Sequence, residues 1–174
     1  VNFDYGLAPG VAKTYRKNHL LNLFKAAQLL APERRLELQA FKDMAAEIQA
    51  TSGRAPTLGG DPEYDRLEAA KLALLIGPEA AEKAQAFARG NSVPETDHAT
   101  YQAMEALIHN LNTMHSRAGA QTPFSSINYG MDTTPEGRMV IRNVLLATEA
   151  GLGHGETPIF PIHIFRVKEG INYN

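Results

Sequence analysis

Residues 115 to 130 read His-Ser-Arg-Ala-Gly-Ala-Gln-Thr-Pro-Phe-Ser-Ser-Ile-Asn-Tyr-Gly, and hydrogen-bonding side chains crowd a short junction there. A patterned helix ends on one side of it and a short polar and apolar strand starts on the other. A loop anchored between two rigid elements can present donors to a ligand as neither a helix face nor a loose tail can. Ser116, Arg117 and Gln121 sit in that loop. Gln121 offers an amide donor and an acceptor, and Gly119 frees the backbone, so the loop could read a nucleobase or cradle a phosphate. Arg117 follows the helix at its C-terminal end, where the dipole is negative, so an anion must be held by side chains and loop amides. The competing reading is a Schellman-type helix end in which Arg117 caps carbonyls. Thr122 opens the strand, and Ser125, Ser126 and Asn128 follow it between apolar residues. Once buried, such polar groups need partners. A ligand is one candidate, and side chain to backbone bonds at a solvated sheet edge are the other.

Other chemistries find little support. The 174 residues contain no cysteine, which removes disulfides, thiolate metal sites and thiol chemistry from this chain. Six histidines lack the His-x-x-x-His or His-Glu-x-x-His spacing of a zinc site, so no metal is expected. Gly-x-Ser-x-Gly is absent and no catalytic residue is assigned. Gly151-Leu-Gly-His-Gly-Glu156 looks like a phosphate loop, but it follows a helix and precedes a strand, the reverse of the usual order. It reads as a helix cap plus a turn. His163, between Ile162 and Ile164, reads as a hydrogen-bonded core histidine. A formal net charge of −2 argues against nucleic acid as a direct partner. No apolar run reaches the roughly 18 residues of a membrane span. The N-terminus lacks a secretory pattern, so a cytoplasmic location without a membrane partner is expected. The chain starts without Met and stops soon after an apolar run, which reads as a piece of a longer protein.

The polar junction must be positioned by helices. The first two thirds read as helices opened by prolines, whose missing N–H is no loss in a first turn. Pro9 to about Leu30 and Pro32 to about Ala50 are expected to pair as a hairpin, followed by helices at Pro62 to Leu75 and Pro78 to Arg89, the last ended by Gly90-Asn91. Asp97 reads as the N-cap of an amphipathic helix to about His115, with Tyr101, Met104, Leu107, Ile108, Leu111 and Met114 on its apolar face. Thr134-Pro135-Glu136 opens a helix to Ala150 with Val140, Ile141, Val144 and Leu145 inward. Residues 159 to 167 are almost continuously apolar, as suits a strand covered on both faces of a parallel sheet, with Pro161 at a bulge or strand end. The expected fold class is α/β: a mainly helical N-terminal two thirds plus a βαβ unit with strands at about 122–130 and 159–167. The whole reads as a single partial domain, helical over 1–96, with a core helix and the βαβ segment over 97–174.

The run from Tyr101 to Gly130, followed by Asp132-Thr-Thr-Pro-Glu-Gly-Arg138 and Gly151-Leu-Gly-His-Gly-Glu-Thr-Pro-Ile-Phe-Pro-Ile162, closely resembles the anaerobic, class III ribonucleotide reductases. The likeness is strong over residues 97 to 174 and weaker over Phe3 to Tyr15, while residues 32 to 93 carry no matching motif. It implies an internal fragment of the large catalytic subunit of an anaerobic ribonucleoside-triphosphate reductase. Such an oxidoreductase converts ribonucleoside triphosphates to deoxyribonucleoside triphosphates for DNA synthesis. The resemblance further implies a ten-stranded α/β barrel of the glycyl-radical type, a homodimer, and allosteric control by ATP and dNTP effectors. A radical S-adenosylmethionine activase would install the glycyl radical, which lies outside this chain, and no cofactor would be covalently bound here. By the same resemblance, Ser116, Arg117, Gln121 and Thr122 fall between substrate and specificity effector, and Ser125, Ser126 and Asn128 line the barrel near substrate. A cysteine-free chain cannot form the family's thiyl radical, so the isolated chain is expected to be inactive. The runner-up reading is a non-catalytic nucleotide-binding or helical interaction module.

Overall fold

The computed structural model describes residues 2–114, 122 and 124–173. Among them, five α-helices and two strands follow in order: α1 Phe3–Leu30, α2 Leu38–Ser52, α3 Pro62–Ile76, α4 Pro78–Thr113, β1 Ser126–Tyr129, α5 Pro135–Ala150 and β2 Ile162–Phe165. They form two compact units, Ala12–Thr96, built from helices, and Val1–Val11 with Asp97–Asn174, which holds both strands. No helix among the described residues is long and apolar enough to cross a membrane.

In the helical unit, local signals set α3. The Asp61 carboxylate accepts the N–H groups of Glu63 and Tyr64 at 3.1 and 3.2 Å, and Pro62 takes the first position. Tyr64, Glu68, Leu72 and Ile76 recur every four residues and form its buried stripe. They pack with Leu23 and Ala27 of α1, Phe41, Met44 and Ile48 of α2, and Ala81, Ala84 and Ala88 of α4. The alanines let α4 approach closely. Phe24 and Phe41 meet edge to face at 6.0 Å and join α1 to α2.

Three helix boundaries differ from expectation. α1 starts at Phe3, so Pro9 lies inside it instead of opening it. Only Pro32–Arg34 turns after α1, as a 3-10 segment; Arg35 then takes a left-handed conformation (φ 48°), and α2 begins at Leu38. The helices expected at Pro78 to Arg89 and Asp97 to His115 are one, α4, which runs through Gly90, Asn91 and Pro94 and ends at Thr113. Side chains there bond back to the preceding turn: Asn91 to the Phe87 carbonyl at 2.8 Å and Thr96 to the Ser92 carbonyl at 2.6 Å. Asn18 and Asn22 of α1 donate to Thr96 and Ser92, both at 3.1 Å. These tertiary bonds override the local breaker signal. Asp97 is therefore no N-cap; its carboxylate accepts from the Asn143 amide at 2.8 Å.

In the second unit, β1 and β2 pair in parallel with Ser126 opposite Ile162 and Tyr129 opposite Phe165. Both strands are shorter than the expected 122–130 and 159–167. α5 has the expected bounds, and Thr134 caps it by accepting the Gly137 N–H at 3.1 Å. Val144 and Ala147 pack on Met104 and Ile108 of α4 and on Ile127 and Tyr129 of β1. Leu145, expected inward, is 44% exposed. β2 is not covered on both faces, since Ile162 and Ile164 remain 42% and 43% exposed. Helices α4 and α5 pack on the other side of this strand pair, and this side stays partly exposed. Pro161 immediately precedes β2, a strand end as its missing N–H requires.

Gly90 lies exposed within α4, and a Cβ there would meet nothing within 4 Å. Gly90→Ala is expected to stabilise the protein by about 0.5–1 kcal/mol, read as a raised urea midpoint at unchanged slope. A destabilised variant would show that α4 is broken at this point.

Candidate functional site

Alternation along β1 divides the polar residues. Ile127 and Tyr129 are buried, whereas Ser126 is exposed and Asn128 half-buried. Successive strand side chains point to opposite faces, so Ser126 and Asn128 share the face away from the core. The register sets them beside Ile162 and Ile164 of β2, which gives an open face with two polar and two aliphatic side chains. Ser125 belongs to the other side, where its hydroxyl is buried without a hydrogen-bond partner among the described residues. Thr122 is half-buried ahead of the strand. Ser116, Arg117 and Gln121 lie outside the described residues. Of the sequence-derived set, then, the structure brings Ser126 and Asn128 together and separates Ser125 from them.

The exit of β1 is held by groups that no local pattern indicated. Asp4 of α1 is fully buried, and its Oδ2 accepts the backbone N–H groups of Gly130, Met131 and Asp132 at 2.9, 3.0 and 3.0 Å. Burial alone would raise the Asp4 carboxyl, but the N–H donors of Asp132, Gly130, Tyr5 and Met131 together outweigh it and hold its pKa below the ordinary value. The Tyr5 hydroxyl donates to the Met131 carbonyl at 3.1 Å. Gly130 has φ 112°, and a Cβ on it would lie 2.8 Å from the Phe165 ring. The turn therefore needs glycine. Asp132, also buried, accepts from the Thr134 N–H and hydroxyl at 2.8 and 2.7 Å, which orients the cap of α5. Gly137 leaves room for that carboxylate, because a Cβ would come within 2.3 Å of it.

Two asparagines fix the ends of the strand pair. Asn112, in the last turn of α4, accepts the N–H groups of Ile159 and Phe160 at 2.8 and 3.0 Å and donates to the Phe160 carbonyl at 2.7 Å. Asn172 donates to the carbonyls of Gly130 and Arg166 at 2.6 and 2.8 Å. His163 behaves as the core histidine its neighbours suggested. Thr148 gives its hydroxyl hydrogen to the Val144 carbonyl at 2.7 Å, so its oxygen accepts from His163 Nε2 at 3.1 Å. Burial lowers the His163 pKa, and its Nδ1 is buried without a partner among the described residues. Gly151 caps α5 and turns the chain, since a Cβ there would lie 2.4 Å from the Glu156 carbonyl oxygen. Among the described residues no group of three or more His, Asp or Glu is placed to hold a metal ion.

Comparison with known proteins matches the family model of anaerobic ribonucleoside-triphosphate reductase over residues 1–174. Among curated relatives, the anaerobic ribonucleoside-triphosphate reductase of Salmonella typhimurium is 33% identical over 87 residues, 49% of this chain and 12% of that protein. The Escherichia coli protein of the same name is 32% identical over 91 residues, 52% of this chain and 12% of its own length. That of Enterobacteria phage T4 is 40% identical over 96 residues, 54% of this chain and 16% of the phage protein. The matched region thus spans about an eighth to a sixth of these relatives.

The Asp4 clamp is open to direct measurement. Because its folded pKa is depressed, the stability it contributes is present above the unfolded Asp value of about 3.9 and lost as pH falls through the folded value. Urea denaturation against pH should show that acid loss in the native protein and a flatter profile in Asp4→Asn. Asp4→Ala, which strands three backbone donors, should cost roughly 3 kcal/mol near neutral pH. Equal acid profiles for native and Asp4→Asn proteins would remove Asp4 from this role.

Proposed function

The chain belongs to the anaerobic ribonucleoside-triphosphate reductase family, and from that premise we propose that the enzyme it forms part of reduces ribonucleoside triphosphates to deoxyribonucleoside triphosphates. These 174 residues contribute part of the nucleotide-facing surface. The observation that supports this reading is the open face of the β1–β2 pair, where Ser126 and Asn128 stand beside Ile162 and Ile164. The Asn128 amide can donate and accept at once, and the Ser126 hydroxyl likewise, as a ribose or a base edge requires. The two isoleucines exclude water from one flank, which strengthens each hydrogen bond made beside them.

In this reading the strands belong to a ten-stranded barrel, and the oxidoreductase works through a glycyl radical that generates a thiyl radical. No residue here fits the thiyl role, since the chain has no cysteine, and no step is assigned to it. What this segment does is bind and orient: Ser126 and Asn128 hold the nucleotide, Asp4 and Asn172 hold the strand exits, and Asn112 holds the entry to β2. Ser116, Arg117, Gln121 and Thr122 connect substrate to the ATP and dNTP effectors, and Ser125 supports the strand from behind. A homodimer, a radical S-adenosylmethionine activase and a cytoplasmic location complete the proposal.

Steady-state kinetics of the intact enzyme test the binding face. Asn128→Ala is expected to lower kcat/KM for ribonucleoside triphosphate about tenfold, with a smaller loss for Ser126→Ala, at unchanged stability. Unaltered kinetics in both variants would exclude this face from substrate binding. For the loop, Arg117→Ala and Gln121→Ala should each weaken the response to deoxynucleotide effectors. Effector dependence identical to that of the native enzyme would detach the loop from regulation.

A further inference from the structure

The buried Asp4 carboxylate is met by main-chain amides alone. Gly130, Met131 and Asp132 donate to its Oδ2 at 2.9, 3.0 and 3.0 Å, and the Tyr5 N–H donates to its Oδ1 at 3.0 Å. Among the described residues no Lys, Arg or His forms an ion pair with it. A carboxylate buried for stability alone is ordinarily paired with a cation. Successive backbone N–H groups aimed at one oxygen are instead the construction by which proteins bind free oxyanions.

The donors are fixed by bonds in which α1 takes no part. The Gly130 carbonyl accepts the Asn172 amide at 2.6 Å, the Tyr129 carbonyl accepts the Arg166 N–H at 2.8 Å, and the Asp132 carboxylate accepts the Thr134 N–H at 2.8 Å. The occupant, by contrast, stands on a weakly built segment. Gly6, Pro9 and Gly10 all fall in the opening turns of α1, where glycine and proline disfavour a helix. A Cβ on Gly6 or Gly10 would meet nothing within 4 Å, so packing does not require those glycines. Besides Asp4, the opening turn is held by the Tyr5 hydroxyl on the Met131 carbonyl and by Arg166 on the Asn2 amide oxygen, both at 3.1 Å. Tyr5 is 53% exposed, so the corner lies under a thin cover.

We propose that the corner formed by Gly130, Met131 and Asp132 is a binding site for a small carboxylate oxyanion, closed from within by the opening turn of α1 with Asp4 as its internal ligand. Docking of that turn and binding of an external carboxylate therefore exclude one another. Asp4 holds the site in the native chain because its tether gives it an effective concentration that a dissolved anion does not reach. With its carboxylate removed, the amides keep their aim, and a free carboxylate of the same size takes the vacated place.

Titration of the Asp4→Ala protein with sodium formate, against sodium chloride at equal ionic strength, tests the proposal. The amide proton resonances of Gly130, Met131 and Asp132 should shift saturably with formate, at a half-saturation on the order of 10 mM, and the thermal midpoint should rise with them. Chloride should do neither. Where Asp4→Ala does not fold in buffer alone, the same titration reads a folded fraction that climbs saturably with formate and not with chloride. In the native protein these three amides should not respond over the same range. Asp4→Asn, whose amide oxygen still accepts the N–H groups, should need at least about tenfold more formate than Asp4→Ala. Equal responses of Asp4→Ala to formate and chloride, or a native protein whose three amides shift with the half-saturation of the variant, overturn the proposal. No nucleotide enters the assay, so its failure leaves the reductase reading untouched.

Discussion

Where β1 leaves its sheet, three consecutive backbone N–H groups converge on a single carboxylate oxygen, Asp4 Oδ2. A chain must be bent to aim successive amides at one point, and Gly130, at φ 112°, is where it bends. Such a concave set of N–H groups is an anion site, and it lies beyond the carboxyl end of a parallel strand, where ligands of α/β sheets commonly bind. Here the protein fills it from within. The rest of the unit follows from that: the bent turn carries Asp132 to Thr134, Thr134 caps α5, and α5 brings Val144 and Ala147 onto Ile127 and Tyr129. An anionic ligand cannot use the occupied corner.

That corner was illegible in the sequence for a physical reason. Asp4 and Gly130 are 126 residues apart, and no periodicity relates them. The elements read correctly were those whose ends are decided locally. α5 has Thr134, Pro135 and Glu136 at its start and Gly151 at its end, and α3 has Asp61 and Pro62. α4 was misread because its Gly90, Asn91 and Pro94 are locally a stop, and the bonds that carry the helix through come from Asn18 and Asn22, more than 60 residues upstream. Ser125, Ser126 and Asn128 read in sequence as one polar set, and it is the alternation along β1 that puts Ser126 and Asn128 on one face and Ser125 behind them. Strand lengths did not follow, because pairing partners end a strand and the sequence names none.

The helical unit shows the complementary case. Glu68 occupies an inward position between Tyr64 and Leu72 on the four-residue stripe of α3, where pattern reading expects an apolar residue. Its carboxylate tolerates full burial because Tyr64, Gln85 and His19 each direct a hydrogen at it. A buried carboxyl group with partners on both oxygens is a different object from one left unpartnered. The imidazole is what stays incomplete, since its Nδ1 is buried with no hydrogen-bond partner among the described residues.

A pair of four-residue strands is too small to hold its own register. Side-chain amides supply what neighbouring strands supply in wider sheets. Asn112 presents one acceptor and one donor to residues 159 and 160, as an adjacent strand residue would, and Asn172 bridges the carbonyls of Gly130 and Arg166 at the other end. Fixing the ends in this way leaves the middle of the sheet free of structural duty. Ser126 opens β1 and Asn128 lies within it, and among the described residues no side-chain hydrogen bond holds either of them back. Polar side chains that the fold does not consume, set on a face whose geometry the fold does fix, can hold a ligand at constant orientation without strand or helix having to move.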